Sequence, residues 1–304
     1  MSLAYRVRNC LLLGALGDSL GSLQEGQPAS TATEPRFGPL TDDTQLTMAT
    51  CAAIASARHV DPASIAGEFA YWHRRRRFTG LGSSTLKALT ELAEGQHWAL
   101  SGAKGEQAAG NGAAMRIAPL AFCLSNHFED NDRPLLRDVC RITHHHEEAY
   151  AGALAVWQAI CYVAVHRVPL AEVLEVTEHE LPDCLVRDRL RELIALKRSL
   201  SLAEVAKRFG NRGYVVESVP FALYAAALRG ESQSAEAAPA GIEHTIQEVA
   251  LAGGDADTNA SLTGQIMGAA YNEIPSAQSW LDQVPGLEDY LETVEEFAAV
   301  VMAR

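Results

Sequence analysis

The sequence predicts an all-α fold, built as one compact multi-helix domain over residues 1–304. Three observations support this fold class. Apolar residues recur at helical spacing in nearly every segment, and helix caps precede several of these segments. Only one short stretch, Tyr214–Val216, has the character of a strand.

The predicted helices follow one another along the chain. The clearest start is at Asp61, an N-cap residue followed by Pro62 at the first helical position, after which Ile65, Phe69 and Trp72 share one face. Amphipathic or wholly apolar helical patterns also cover residues 44–57, 84–93, 134–142, 147–165, 202–209, 219–228, 242–252, 258–271 and 287–301. The segments between them are short enough for a single helical core.

Three stretches lack this periodicity and are rich in Gly, Pro or Ser: residues 24–40, 101–112 and 230–241. The apolar helices on either side of the last stretch have the same character. We therefore interpret all three as loops of one domain and not as linkers between domains.

The charge and hydrophobicity of the sequence argue against two classes of binding partner, nucleic acids and membranes. Lys and Arg number 25 against 38 Asp and Glu, a formal net charge of −13, which argues against a protein whose main task is binding nucleic acid or anionic membranes. The apolar run 149–165 contains Gln158 and is shorter than the ~20 residues of a membrane span, so we expect a buried helix and no membrane partner.

The cellular compartment is predicted from the cysteines and the N-terminus. None of the six cysteines forms a CxxC pair, which favours reduced residues of a cytoplasmic protein. Arg6 and Arg8 precede the apolar run 10–17 much as in a signal peptide, but Asp18 ends the run and no clear cleavage pattern follows.

Two short acidic clusters, residues 41–44 (TDDT) and 253–259 (GGDADTN), each precede a predicted helix. One interpretation is capping, with Asp42 and Gln45 forming a capping box. The other is a metal centre, because converging carboxylates would repel one another without a cation and hard oxygen ligands select Mg²⁺ or Mn²⁺. The ligand number suits two ions about 3.5–4 Å apart.

Five motifs occur in an order that resembles the ADP-ribosylglycohydrolase family, which includes dinitrogenase reductase-activating glycohydrolases and ADP-ribosyl-serine and ADP-ribosyl-arginine hydrolases. The motifs span most of the chain: residues 14–21 (GALGDSLG), 41–44 (TDDT), 110–116 (GNGAAMR), 143–144 (TH) and 253–259 (GGDADTN).

The resemblance implies an all-α fold of the ADP-ribosylglycohydrolase type and a binuclear centre of two Mg²⁺ or Mn²⁺ ions. The matching metal ligands are Thr41, Asp42, Asp43, Asp255, Asp257 and Thr258. Glu25 lies seven residues after the aspartate of the first motif, where the family has a glutamate that approaches the metals. Glu25 or a cluster aspartate such as Asp43 would be the catalytic general base or proton relay, and the sequence does not rank these roles.

Substrate contacts are expected from two glycine loops and a histidine. Backbone amides at Gly110, Asn111 and Gly112 and around Gly82 and Ser83 are suited to a diphosphate, although either loop can also be an ordinary connection. His144 matches the family's ligand-contacting histidine.

Two departures from the family pattern concern small residues. Ala109 stands where some relatives have an aromatic residue that stacks on adenine, and Ala256 stands where the family usually has threonine. The tract 144–146 (HHH) is not expected to form a zinc site, because consecutive side chains on a helix point about 100° apart. The basic run 74–77 is expected to end a helix and remain solvated.

The sequence therefore predicts a metal-dependent hydrolase that releases ADP-ribose from a protein side chain or a small conjugate. The alternative is a family member that binds ADP-ribose, or serves a structural purpose, without catalysis. Intact acidic clusters argue against this alternative, because their mutual repulsion would have no function in such a protein.

Overall fold

The structure, a computed structural model, describes residues 2–124, 132–228 and 241–304. These residues form fourteen α-helices and one parallel pair of two-residue strands, joined by loops and short 3-10 turns. The helices are α1 Ser2–Gly21, α2 Asp42–Ala57, α3 Pro62–Arg74, α4 Ser83–Ala93, α5 Asp132–Arg141, α6 Glu147–Ala164, α7 Val173–Glu180, α8 Leu185–Ala195, α9 Leu202–Phe209, α10 Val215–Leu228, α11 Ile242–Leu251, α12 Ala256–Ala270, α13 Gln278–Leu281 and α14 Leu291–Met302. The strands are β1 Ala103–Lys104 and β2 His144–His145.

The predicted all-α fold class is confirmed, and most predicted helices are present within a few residues of their predicted bounds. Asp61 caps α3 as expected, since its side chain accepts hydrogen bonds from the Ala63 and Ser64 amides. The strand predicted at Tyr214–Val216 is wrong: Tyr214 forms one isolated bridge with Gly110, and α10 begins at Val215.

The three predicted loops differ in the secondary structure that they contain. Residues 24–40 contain no helix, and residues 101–112 contain β1 and two short 3-10 turns. Residues 230–240 of the third loop lie outside the described residues.

Helices α1 and α12 form the centre of the fold. They run antiparallel and approach so closely that a Cβ on Gly17 would overlap the carbonyl oxygen of Ala260, and one on Gly264 would overlap that of Leu13. Only glycine permits this backbone contact. The C-terminal end of α1 is thereby fixed beside the N-terminal end of α12, where the acidic clusters lie.

The buried apolar side chains of the described helices form one cluster that extends from α1 to α14. Helix α6 is buried along nearly its whole length, which confirms the expected core helix. No described helix is both long enough and apolar enough to cross a bilayer. All six cysteines are free thiols.

Candidate active site

Three helix ends meet at one place: the end of α1 and the starts of α2 and α12. Gly21, the last residue of α1, contacts the backbone of Ala256 and Asp257 so closely that a Cβ on it would overlap them. The sequence therefore brings its two acidic clusters together through small residues far from either cluster.

Asp18 of α1 fixes the start of α2. This fully buried carboxylate accepts hydrogen bonds from the Thr41 amide and hydroxyl at 2.9 and 2.7 Å, and from the Thr44 amide and hydroxyl at 3.2 and 2.5 Å. Because the Thr41 hydroxyl proton is donated to Asp18 and the Asp43 amide donates to the Thr41 oxygen at 3.4 Å, one lone pair of that oxygen remains for a cation. Sequence reasoning missed this role, since the motif alone does not show which residues Asp18 contacts.

The capping interpretation of residues 41–44 needs correction. Thr41 is the N-cap of α2 and accepts from the Asp43 amide at 3.4 Å. The predicted capping box is wrong, because the side chain of Gln45 bonds to the Leu40 carbonyl and to Thr79. Asp42 and Asp43 are therefore not occupied as caps.

Glu25 reaches the second acidic cluster because its loop is attached to that cluster by the backbone. Gly26 donates to the Gly254 carbonyl at 2.8 Å, and Gly254 donates to the Gln27 carbonyl at 3.3 Å. Gly254 has a φ of 71°, in the left-handed region that favours glycine. Carboxylate oxygens of Glu25, Asp255 and Asp257 consequently lie within 4.8 Å of one another.

Hydrogen bonds connect the two clusters and the glycine segment. The Thr258 hydroxyl donates to Oδ2 of Asp43 at 3.0 Å, and the side-chain Nδ2 of Asn111 donates to Oδ2 of Asp255 at 2.6 Å. Oδ1 of Asp43 is buried and has no hydrogen-bond partner in the described part of the chain. In proteins a buried oxygen of this kind is normally satisfied by an ordered water or an ion.

The electrostatics of the cluster disfavour several negative charges at once. Burial and the charge of Asp257 raise the pKa of Asp42 and of Asp43 well above the ordinary range. The same two causes raise the pKa of Asp255 to about 7. Glu25 is exposed as a residue, but desolvation of its carboxyl group and the charge of Asp257 raise its pKa to about 8.

These features fit a divalent cation. The donor set is entirely oxygen, one of its buried oxygens lacks a partner, and positive charge would relieve the repulsion that raises the pKa values. All six predicted ligands line one cleft: Thr41, Asp42, Asp43, Asp255, Asp257 and Thr258.

The cleft above the cluster has a volume of about 1010 Å³. Gly82 is the N-cap of α4 and has no side chain to cap the first amides of that helix, and Gly82 and Ser83 both line the cleft. The cleft is also lined by Gly110, Asn111 and Gly112. The backbone N–H of Asn111 already donates to the Gly213 carbonyl at 3.1 Å, so it is not free to bind a diphosphate.

The three consecutive histidines have separate contacts. His144 is buried and lines the cleft. His145 bonds to the Ser101 carbonyl at 2.7 Å, and His146 caps α6 by accepting from the Glu148 amide at 3.0 Å. The assumption that residues 144–146 are helical is wrong, because His144–His145 form β2. The three side chains nevertheless have separate partners and do not meet at one point, as a zinc site would need.

The sequence model of the ADP-ribosylglycohydrolase family matches residues 1–304, the whole chain. The chain belongs to this family. It is therefore a glycohydrolase, and the predicted hydrolase activity toward ADP-ribosyl bonds is supported at the level of the family.

Named relatives agree with this membership. Human "ADP-ribosylhydrolase ARH3" is 25% identical over 93% of this chain and 90% of its own length. The "ADP-ribosyl-[dinitrogen reductase] glycohydrolase" of Rhodospirillum rubrum is 26% identical over 81% of this chain and 74% of its own. A solved structure titled "ADP-ribosylglycohydrolase-related protein complex" shares the fold, with a TM-score of 0.75, 24% identity and 99% coverage of both chains.

The two departures from the ADP-ribosylglycohydrolase pattern lie behind the cleft surface. Ala109 and Ala256 are both buried, and neither lines the cleft. The basic run 74–77 is exposed at the end of α3, as expected, with the Arg75 and Arg77 guanidinium groups over the rings of Tyr71 and Trp72.

Proposed function

We propose that this glycohydrolase cleaves the glycosidic bond between ADP-ribose and a protein side chain or small acceptor, with two Mg²⁺ or Mn²⁺ ions. One observation carries the proposal: six residues with side-chain oxygens line one cleft, the Thr258 hydroxyl bonds to Asp43 between the two clusters, and a buried oxygen of Asp43 has no partner among the described residues. The names of the human and Rhodospirillum rubrum relatives support the substrate class.

The ions would be held by the two acidic clusters. Thr41, Asp42 and Asp43 would supply one side of the centre, and Asp255, Asp257 and Thr258 the other. When bound, divalent cations of this kind supply Lewis-acid chemistry that orients ribose hydroxyls and lowers the pKa of water. The carboxylates also stabilise the positive charge that develops on the ribose ring as the glycosidic bond breaks.

Proton transfer is assigned to Glu25 or Asp43. In the reaction, water adds to the anomeric carbon, the bond to the acceptor breaks, and one proton moves from water to the leaving group. A carboxylate oxygen of Glu25 lies within 4.8 Å of those of Asp255 and Asp257, so Glu25 can take a proton from water beside the centre and relay it. Asp43 is the alternative base, because its carboxyl group lies on the same cleft.

The remaining contacts would hold the ADP-ribose. Gly82 and Ser83 lie on the cleft at the uncapped start of α4, and the free amides of such a helix start would bind a diphosphate. Gly110, Asn111 and Gly112 would follow the sugar, and His144 would contact it.

Two wider predictions accompany this function. We propose that residues 1–304 are one domain, since the described helices share one apolar cluster. We also propose a cytoplasmic location, because six free cysteines suit a reducing compartment.

A substrate screen tests the proposal. Purified protein loaded with Mg²⁺ or Mn²⁺ is incubated with ADP-ribosyl-arginine, ADP-ribosyl-serine, O-acetyl-ADP-ribose and ADP-ribosylated nucleic acid, and free ADP-ribose is quantified. We expect release from at least one of the first three, and loss of that release in Asp255→Asn. Folded, metal-loaded protein that binds ADP-ribose but cleaves none of the four would support the non-catalytic alternative instead.

A further inference from the structure

A buried chain of hydrogen bonds lies behind the glycine segment of the cleft. Nη1 of Arg116 donates to the Gly112 carbonyl, and Nη2 donates to the Val139 carbonyl at 3.2 Å and to the Thr143 hydroxyl at 2.9 Å. The same hydroxyl lies 2.8 Å from Nδ1 of His144. Arg116, Thr143 and His144 are all buried, and only His144 of these three lines the cleft.

The chemistry of the three side chains fixes the direction of this chain. A guanidinium group only donates, so the Thr143 oxygen accepts from Arg116. Thr143 has one hydroxyl proton, and among the described residues Nδ1 of His144 is the one acceptor within reach. The hydroxyl therefore donates to Nδ1, which must be the unprotonated nitrogen of the ring. Burial and the nearby Arg116 charge lower the His144 pKa to about 3, so the ring is neutral.

The other ring nitrogen, Nε2, lies beside the glycine segment that lines the cleft. A Cβ on Gly110 would lie 3.3 Å from Nε2 of His144, and a Cβ on Gly112 would lie 2.8 Å from Cε1, so the ring rests against the bare backbone of both glycines. Nε2 makes no hydrogen bond within the part of the chain that the structure describes. A neutral ring whose Nδ1 accepts must carry its proton on Nε2.

We propose that Arg116 and Thr143 are positioning residues that hold His144 in its Nε2–H tautomer, so that the ring presents a fixed N–H donor to a ligand oxygen in the cleft. The other tautomer would direct a lone pair at that oxygen and repel it. The assignment of the tautomer does not depend on the proposed function. Only the choice of ADP-ribose as the ligand rests on the proposed function.

Two substitutions at Thr143 separate this role from simple packing. Thr143→Val keeps the shape but removes the donor to Nδ1, so we expect a mixture of tautomers and an affinity for ADP-ribose about tenfold lower. Thr143→Ser keeps the hydroxyl and should restore both properties. Thr50→Val is the matched control, because Thr50 is an equally buried threonine whose hydroxyl donates to the Leu46 carbonyl within α2.

The experiment uses the full chain labelled with ¹⁵N-histidine and long-range ¹H–¹⁵N NMR, with the His144 signals assigned by their loss in His144→Asn. In the wild-type protein we expect a pyridine-like Nδ1 and a pyrrole-like Nε2. A pyrrole-like Nδ1 overturns the inference without any variant. An unchanged tautomer and unchanged affinity in folded Thr143→Val overturn the positioning role.

The same samples are then titrated with ADP-ribose in the presence of Mg²⁺. We expect the Nε2 proton to shift on binding, as it gains an acceptor. If the wild-type protein shows the Nε2–H tautomer but does not bind ADP-ribose, the proposed function fails while the tautomer assignment stands. The two failures are therefore distinguishable.

Discussion

Divalent-cation binding should depend strongly on pH, because carboxyl groups of the cluster must lose protons before they act as ligands. Asp255 has a pKa of about 7 and Glu25 a pKa of about 8. At pH 6, Asp255 is ionised in about one molecule in ten, and at pH 8 in about nine in ten. We therefore expect apparent affinity for Mn²⁺ to rise at least about tenfold between pH 6 and pH 8.

Further carboxyl groups would enlarge this effect. Burial and the Asp257 charge also raise the pKa values of Asp42 and Asp43, which adds to the pH dependence in the same direction. If Glu25 must also ionise, its share is about fiftyfold over the same interval. Glu25→Gln would remove that share and leave the contribution of the aspartates.

The assay is calorimetric titration of EDTA-stripped protein with MnCl₂ at pH 6 and pH 8, in pairs of buffers with different ionisation enthalpies. The difference between buffers counts the protons released per ion bound. We expect at least one at pH 6, and fewer in Glu25→Gln if Glu25 approaches the ions. Equal affinity at both pH values, with no proton released, would refute the reasoning from the raised pKa values.

Three other predictions concern turnover, pH stability and packing. Asp43→Ala should reduce ADP-ribose release at least about 100-fold, since loss of an outer-shell partner of a metal site alone costs about 10–100-fold. Glu292→Gln, which changes an exposed acid on α14, is the control. Near-normal turnover in Asp43→Ala would exclude Asp43 as a metal ligand. Without cations, folded-state pKa values of about 6 for Asp18, 7 for Asp255 and 8 for Glu25 exceed the unfolded values near 4. The stability present below about pH 4 therefore falls as the pH rises and is lost once the pH exceeds the folded-state values. Calorimetry of EDTA-treated protein should show a lower melting temperature at pH 8 than at pH 5, and a melting temperature that rises with pH would contradict this. Gly264→Ala should destabilise the fold by about 1–3 kcal/mol or more in urea titration, because its Cβ would overlap the Leu13 carbonyl, whereas Gly67→Ala in α3 meets open space and should be neutral or slightly stabilising.

Much of the fold was accessible from the sequence because helices leave local signals. The Asp61–Pro62 start and the apolar face that follows it depend on neighbours in the chain, and the structure confirms them. Tyr214–Val216 misled the prediction for the opposite reason: β-branched valines favour strands locally, but here they begin a buried helix that packs against α6 and α12.

The candidate site likewise contains residues that the sequence identified and contacts that only the structure shows. Residue types and motif order identified the acidic clusters, Glu25 and His144, and the structure places all of them on one cleft. The role of Asp18 depends on α1 lying beside the start of α2, a contact between segments 23 residues apart that no local pattern indicates. The contact of Arg116 with Thr143 is likewise visible only in three dimensions.

The most direct test of the account measures ADP-ribose release from a cleavable conjugate by EDTA-stripped protein, before and after Mg²⁺ or Mn²⁺ is restored, with Asp43→Ala in parallel. We expect no release without cations, recovery of the rate in the wild-type protein when they return, and no recovery in the variant. Release that persists in EDTA at the full rate would contradict the claim that the converged carboxylates act through bound divalent ions.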